Sequence, residues 1–103
     1  MKTAAVSKTS TKEGSQSWTF FSNHAHVLLC IHKDCDTVLR DVAVEVGITE
    51  RAVQKIVSEL EAADVIGKEK IGRRNRYTIK RRSKLRHPLE SHRSVGDLLD
   101  FVL

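Results

Sequence analysis

The sequence predicts a mainly helical α+β fold, in which three helices precede a small β-hairpin and a C-terminal helix follows it. Apolar residues recur at three- and four-residue spacing in four segments, which is the period of an amphipathic helix. Two short runs in the second half suit strands, and the glycine and asparagine between them favour a tight connection. At 103 residues, the chain is long enough for one modest core.

The first helix is expected to begin at Ser22 or Asn23, both good N-caps, and to end near Lys33. A turn over 34–37 follows, and Val38 with Leu39 is expected to form a one-bridge strand. The apolar face of the helix comprises Ala25, Val27, Leu28, Leu29 and Ile31, with His32 at its margin.

The second and third helices are expected over about 40–46 and 50–63. Gly47 can adopt the positive φ that ends a helix, and Thr49 is placed to cap the next one. The predicted core face of the third helix comprises Ala52, Ile56, Leu60 and Ala63, with Val53 and Val57 beside it. The opposite side carries a polar stripe at i, i+3, i+4 and i+7, made of Arg51, Gln54, Lys55 and Ser58.

The two strands are expected over 66–71 and 76–80, joined through Gly72-Arg73-Arg74-Asn75. Segment 68–86 holds ten lysines and arginines against one carboxylate, Glu69. Because like charges on adjacent strands repel, such a concentration favours a polyanionic partner. Ser94 and Asp97 have the spacing of a capping box. They introduce a last helix whose apolar face is Val95, Leu98, Leu99 and Val102.

The overall composition agrees with a nucleic-acid partner. The formal charge is +5 and the pI is about 9.5, which favours polyanions. No apolar stretch approaches the roughly 20 residues of a membrane span, and the N-terminus lacks the apolar segment of a signal peptide. Cys30 and Cys35 are too few for a disulfide framework. A cytoplasmic location is therefore expected, with no membrane association, and residues 1–17 are expected to be a disordered tail.

The stripe on the third helix contains side chains that suit the recognition of base edges. Arg51 and Lys55 can donate to guanine or phosphate, and Gln54 can bind adenine through two hydrogen bonds. An arginine on the hairpin can enter a narrow minor groove, while Lys68, Lys70 and Lys80 would neutralise phosphates. The alternative is an ordinary solvated face, in which Glu50–Arg51 or Lys55–Glu59 pairs form within the helix.

The stretch from about Phe20 to Tyr77 resembles the winged helix-turn-helix domain of MarR-like bacterial and archaeal transcription regulators. The resemblance rests on Gly47-Ile48-Thr49 between two helices and on the wing Gly72-Arg73-Arg74-Asn75-Arg76-Tyr77. It implies a dimeric DNA-binding protein whose third helix recognises DNA. Asp64 stands where relatives usually have glycine, and the chain is shorter than full MarR proteins, whose longer helices build the dimer and an effector pocket. With the positions that the resemblance implies, the candidate DNA-binding residues are Arg40, Thr49, Glu50, Arg51, Gln54, Lys55, Ser58, Arg73, Arg74, Asn75 and Arg76.

The sequence therefore predicts a DNA-binding domain over 18–82 and a helical extension over 83–103 that contributes to a dimer. Trp18, Phe20 and Phe21 are expected to pack against the domain or a second subunit. The expected function is that of a homodimeric repressor, with helix 49–63 in the major groove and wing 72–76 in the minor groove. The alternatives are a protein–protein docking module and an RNA-binding module.

Metal binding and catalysis have less support in the sequence. The histidines and cysteines around the first helix have ligand chemistry, but no second cluster with zinc-ribbon spacing accompanies them. No phosphate-binding loop, nucleophile elbow or paired carboxylates are recognisable. We expect neither an enzyme nor a cofactor, and the sequence identifies no small-molecule effector. The candidate metal ligands are His24, His26, Cys30, His32 and Cys35.

Overall fold

The computed structural model describes residues 18–103, so the tail predicted over 1–17 lies outside the described residues. The predicted fold class is confirmed: four helices accompany one two-stranded antiparallel hairpin, in a layout consistent with a winged helix-turn-helix. The elements, in order, are α1 (Asn23–Lys33), α2 (Leu39–Val46), α3 (Glu50–Ala62), β1 (Ile66–Ile71), β2 (Arg74–Ile79) and α4 (Val95–Val102).

Side-chain caps fix the helix starts where the sequence predicts them. The Ser22 hydroxyl accepts a hydrogen bond from the Ala25 N–H at 3.4 Å, and the Thr49 hydroxyl accepts one from Ala52 at 3.0 Å. At the end of α2, Gly47 has a φ of 88°, which a residue with a Cβ adopts only with strain. The capping box of α4, formed by Ser94 and Asp97, is also confirmed.

The strand predicted at Val38 and Leu39 is wrong. The carbonyl of Val38 accepts hydrogen bonds from the N–H groups of Asp41 and Val42, and Leu39 is the first residue of α2. Val38 does have extended backbone angles, with φ of −91° and ψ of 148°, but it uses them as the N-cap of α2, where its carbonyl begins the helical hydrogen bonds. The contact with the hairpin lies earlier in the chain, where the Tyr77 N–H donates to the Cys35 carbonyl at 3.0 Å.

The hairpin turn is shorter than the sequence predicts. The ladder runs from the Ile66–Ile79 pair to the Ile71–Arg74 pair, which leaves only Gly72 and Arg73 in the turn. Gly72 has a φ of 65°, as a two-residue hairpin turn requires, so pairing continues to the end of both strands. Arg74 and Asn75, which were predicted in the connection, are therefore strand residues.

The core lies between α1, α2, α3, the base of the hairpin and α4. Ala52 on α3 and Ala63, which is the C-cap of that helix, are only half-buried, whereas Val53 and Val57 lie at the centre of the buried face. On α4, Val95 and Leu99 belong to the same core, so this helix packs on its own domain. No helix within residues 18–103 is long and apolar enough to cross a membrane. The largest fully buried side chains are Val27, Ile31, Val42, Val53 and Leu99.

At the end of α3, Asp64 takes the left-handed position where the resemblance leads one to expect glycine. Asp64 adopts a φ of 61°, and its N–H donates to the Glu61 carbonyl at 3.0 Å. The next residue, Val65, donates to the Leu60 carbonyl at 2.9 Å, which completes the hydrogen-bond pattern of a Schellman motif. Aspartate tolerates the left-handed region better than most residues, but less well than glycine.

Asp64→Gly is therefore expected to raise the free energy of unfolding by about 0.5 kcal/mol. The substitution stabilises the folded state by relieving backbone strain. This gain should exceed two losses, namely the side-chain contact of Asp64 and the greater conformational entropy that glycine gives the unfolded chain. The lost contact is an exposed ion pair between Asp64 and Lys80, which contributes little. Urea denaturation would measure the change. Asp64→Asn is the control, because it removes the ion pair and keeps a side chain that tolerates positive φ; a gain as large for Asn as for Gly would contradict the backbone explanation.

Candidate nucleic-acid interface

The polar stripe of α3 is exposed along its whole length. Arg51, Gln54, Lys55 and Ser58 all lie on the side opposite the buried Val53, Ile56, Val57 and Leu60. Neither of the pairs that would make this an ordinary solvated face is formed within the described chain. The carboxylate of Glu59 instead contacts the ring of His24, with 2.7 Å between Glu59 Oε1 and His24 Nε2. Lys55 forms no ion pair with Glu59. The donors of the stripe remain available to an external acceptor.

The start of α3 presents the rest of the predicted helical site. Thr49 and Glu50 are exposed, and the Thr49 hydroxyl is already the acceptor of the capping bond to Ala52. Its O–H can still donate to a phosphate oxygen, as can the free N–H groups of the first turn. Arg40, at the start of α2, is also exposed. The structure therefore leaves all six predicted residues from 49 to 58, and Arg40, open to solvent.

The three wing arginines differ in their surroundings. Arg73 lies in the turn and is exposed, with no side-chain hydrogen bond to any described residue. Arg74 donates through Nη2 to the backbone carbonyl of Asp36 at 3.0 Å. Arg76 donates to both carboxylate oxygens of Asp36, at 2.8 Å from Nε and 3.4 Å from Nη2. The sequence does not distinguish these three arginines. In the structure, only the side chain of Arg73 makes no hydrogen bond to a described residue, so it is the one most available to DNA.

Asp36 is the residue of this region that the sequence does not reveal. It lies in the loop between α1 and α2, and the hydrogen bonds from Arg76 hold the pKa of its carboxyl group below the ordinary value. Together with the Tyr77–Cys35 backbone bond, these contacts attach one edge of the wing to the helical layer. A contact between residues about forty positions apart leaves no local signal in the sequence.

Ion pairs divide the ten basic residues of segment 68–86 into two groups. Lys68, Arg76, Lys80 and Arg81 each lie within ion-pair distance of a carboxylate, with partners Glu61, Asp36, Asp64 and Asp100. The others have no such partner within residues 18–103. Of the three lysines predicted to neutralise phosphates, only Lys70 is in this second group. Its members are Lys70, Arg73, Arg74, Arg82, Lys84 and Arg86.

The candidate metal ligands do not converge. Cys30 is buried in α1, and this burial, with a smaller contribution from Glu45, raises the pKa of its thiol to about 11. A protonated, buried thiol is a poor ligand. His24 is bound to Glu59, and His26 Nδ1 lies 3.2 Å from the amide oxygen of Asn23. Across residues 18–103, no three His, Cys, Asp or Glu side chains are grouped to hold a metal ion.

An apolar groove of about 950 Å³ lies beside the end of α3 and is bordered by the start of α1 and by α4. Phe21 is half-buried at its edge, but Trp18 and Phe20 are 67% and 88% exposed. Their rings contact each other edge to face, with centroids 4.9 Å apart. The prediction that they pack against their own domain is therefore wrong for these two side chains, and the second-subunit alternative remains. Phe101 and Leu103, at the end of α4, are exposed as well.

Comparison with known proteins identifies one segment of similarity. Over 68 residues, 65% of this chain, the sequence is 34% identical to an uncharacterized protein of Methanocaldococcus jannaschii. The aligned stretch is 14% of the archaeal protein, so the chain spans a small fraction of that relative's length. No family model and no solved structure matches the chain.

Proposed function

We propose that the protein is a sequence-specific, double-stranded DNA-binding transcriptional regulator. The observation that supports this most is the uncommitted polar stripe of α3, in a domain that also carries an exposed arginine at the tip of a hairpin. A helix of this width fits the major groove, and the stripe offers the donors that guanine and adenine edges accept. The function is binding, without catalysis.

In this proposal, the side chains of α3 contact base edges and the wing contacts the adjacent minor groove. Arg51 and Gln54 can each make two hydrogen bonds to one base, which gives discrimination between sequences. Arg73 enters the minor groove or contacts phosphates, and so contributes affinity with little sequence preference. Arg74 and Arg76 set the position of the wing through Asp36.

The regulator is proposed to act as a cytoplasmic homodimer that represses by covering a promoter. Exposed apolar side chains at both ends of the described chain, Trp18, Phe20, Phe101 and Leu103, support association with a second copy. A two-fold dimer would place its α3 helices roughly 34 Å apart, one turn of duplex.

A protein–protein docking module is the second candidate. The same exposed apolar side chains favour it, and in the archaeal relative the similar stretch is a small part of a longer protein. RNA binding is chemically compatible with the same cations, although the deep, narrow major groove of an RNA helix does not admit a helix such as α3.

Selection of bound sites from random duplexes tests the proposal most directly. We expect enrichment of a palindromic sequence, whose half-sites are one helical turn apart, and a particle of twice the monomer mass by light scattering. Structured RNA of equal length serves as the competitor. Failure to enrich any duplex would refute sequence-specific binding, and a monomer that ignores duplex would favour docking.

The wing arginines provide a prediction that separates contact from positioning. Arg73→Ala is expected to weaken all duplexes and to reduce the salt dependence of binding by about one ion equivalent, because a phosphate contact is lost. Asp36→Asn is expected to act differently on unrelated and selected duplexes. It removes one negative charge and releases Arg76 from its carboxylate, so non-specific affinity should rise and the salt dependence should steepen. Affinity for the selected duplex should rise less or fall, because Arg76 no longer holds the wing in position.

Fluorescence anisotropy with a labelled duplex at several salt concentrations measures both effects. Lys68→Ala is a suitable control for Arg73→Ala, since it also removes one positive charge from the hairpin but its ammonium group already lies 3.8 Å from Glu61. Equal losses for the two variants would show that net charge alone matters, and that Arg73 makes no specific contact.

A further inference from the structure

Four cations that follow the hairpin form a surface that the recognition of bases does not use. We name Arg82, Lys84, Arg86 and Arg93 the C-terminal basic surface. All four are exposed, and within residues 18–103 none lies within ion-pair distance of a carboxylate. The two basic residues immediately before them, Lys80 and Arg81, are both ion-paired. After the hairpin, Arg82 is therefore the first cation that has no carboxylate partner among the described residues.

Backbone hydrogen bonds hold these four residues together. Lys84 forms a β-bridge with Ser94, and the Leu85 N–H donates to the Arg93 carbonyl at 3.0 Å, so Arg93 lies beside segment 84–86. Lys84 lines a shallow depression together with Arg82, and it also lines the apolar groove together with Arg86. Lys84 thus shares one hollow with Arg82 and another with Arg86, and the backbone of Arg93 is held beside the same segment.

The carboxylates that line the same two hollows are engaged elsewhere. Asp97 accepts a hydrogen bond from the Ser94 N–H in the capping box of α4, and Glu59 is bound to His24. Glu90 accepts from the His87 N–H at 3.4 Å. Arg93 and Lys84 lie near enough to Asp97 to help hold the pKa of its carboxyl group below the ordinary value, after the larger effect of its hydrogen bonds with Ser94. Within residues 18–103, however, none of the three carboxylates lies within ion-pair distance of the four cations, and four positive charges exceed them in number, so an external anion would meet a net positive site.

The C-terminal basic surface is well separated from the proposed contacts with bases. The Lys80 N–H donates to the Val65 carbonyl at 2.7 Å, and the Ser83 hydroxyl donates to the Asp64 carbonyl at 3.1 Å. These bonds fix its start at the C-terminal end of α3 and at the base of the hairpin. Helix geometry puts the beginning of α3 roughly 20 Å away, and strand geometry puts the wing tip at roughly the same distance. Both exceed the screening length of about 8 Å at physiological salt.

We propose that the C-terminal basic surface is a second phosphate-backbone contact for duplex DNA, distinct from α3 and the wing. The inference rests on the proposed function, since it assumes that α3 and the wing bind duplex. A separation of roughly 20 Å corresponds to about six phosphates along one strand, so this surface contacts either the flank of the same duplex or a second duplex segment. It contributes affinity and salt dependence, and no sequence preference.

The test compares two double variants with identical changes in charge. Arg82→Gln/Lys84→Gln removes one arginine and one lysine without carboxylate partners, and Lys80→Gln/Arg81→Gln removes one of each that are ion-paired. Log affinity is plotted against log salt concentration, and the magnitude of the slope is expected to fall by about 0.9 for each phosphate contact that is removed. For Arg82→Gln/Lys84→Gln the slope should therefore fall by nearly 2, if both cations bind phosphate. The control should lose less than half as much. Thermal denaturation of both variants verifies folding, and site selection should return the wild-type sequence for each.

Two further measurements distinguish the sources of the phosphates. The first is a footprint on one long duplex. If the footprint is shorter for Arg82→Gln/Lys84→Gln alone, the phosphates belong to the flank of the same duplex. The second is the simultaneous capture of two differently labelled duplexes, and its loss in the same variant shows that the phosphates belong to a second duplex segment. If the wild type binds duplex and the two variants have equal slopes, the second contact is refuted and the proposed function stands. If the wild type binds no duplex, both are refuted.

Discussion

Arg51→Ala is expected to lower the affinity for the selected duplex by about 1–3 kcal/mol, and to lower the affinity for unrelated duplexes much less. Arg51 lies in the first turn of α3, exposed and unpaired among the described residues, so its guanidinium is free to form two parallel hydrogen bonds with guanine. Gln54→Ala should have an effect of similar kind at a neighbouring base pair. Competition binding with duplexes mutated one position at a time would assign each side chain to its base.

Arg51→Lys is the control that separates base recognition from charge. Lysine keeps the positive charge but loses the planar pair of donors, so the salt dependence should remain while discrimination at one base pair falls. Because Arg51 is exposed, neither substitution should change the melting temperature appreciably. If Arg51→Ala and Gln54→Ala both left duplex binding unchanged, α3 would not be the helix that recognises DNA.

The features that the sequence predicted well depend on neighbouring residues. Ser22, Gly47 and Thr49 fix the helix boundaries through hydrogen bonds or a φ value within a few residues, and the structure confirms all three. The polar stripe of α3 is local for the same reason, since it depends only on the helical period. The helical period predicts the buried face of α3 less accurately. It places Ala52 and Ala63 in the core face, whereas Val53 and Val57 lie at the centre of that face in the structure.

The features that the sequence could not predict depend on contacts between distant segments. The position of Asp36 against Arg74 and Arg76 requires the folded arrangement of the α1–α2 loop and the wing. Which basic residues are ion-paired depends on partners that are distant in the sequence, such as Glu61 on α3 and Asp100 on α4. Composition can therefore count cations, but only the fold shows which of them remain available to a polyanion.

Leu99→Ala is expected to lower the free energy of unfolding by about 2–5 kcal/mol, because it creates a cavity in the core. Leu99 is 0% exposed and packs in the same cluster as Val27, Ile31 and Val53, although it lies in the segment that the sequence predicted as a dimerisation extension. The loss should be visible in urea unfolding and should be nearly independent of protein concentration. A mass-action effect on a dimer would instead shift the midpoint with concentration.

The matched variant is Phe101→Ala, two residues further along α4. Phe101 is 83% exposed, so its removal should change the stability of the monomer by less than about 0.5 kcal/mol. If the outer side of α4 contacts a second copy, the same change should weaken the dimer and the cooperative binding of a two-half-site duplex. The two substitutions thus assign the inner side of α4 to the fold and the outer side to association. A small effect of Leu99→Ala on unfolding, with loss of the dimer, would show that α4 packs on the partner and leaves its own core.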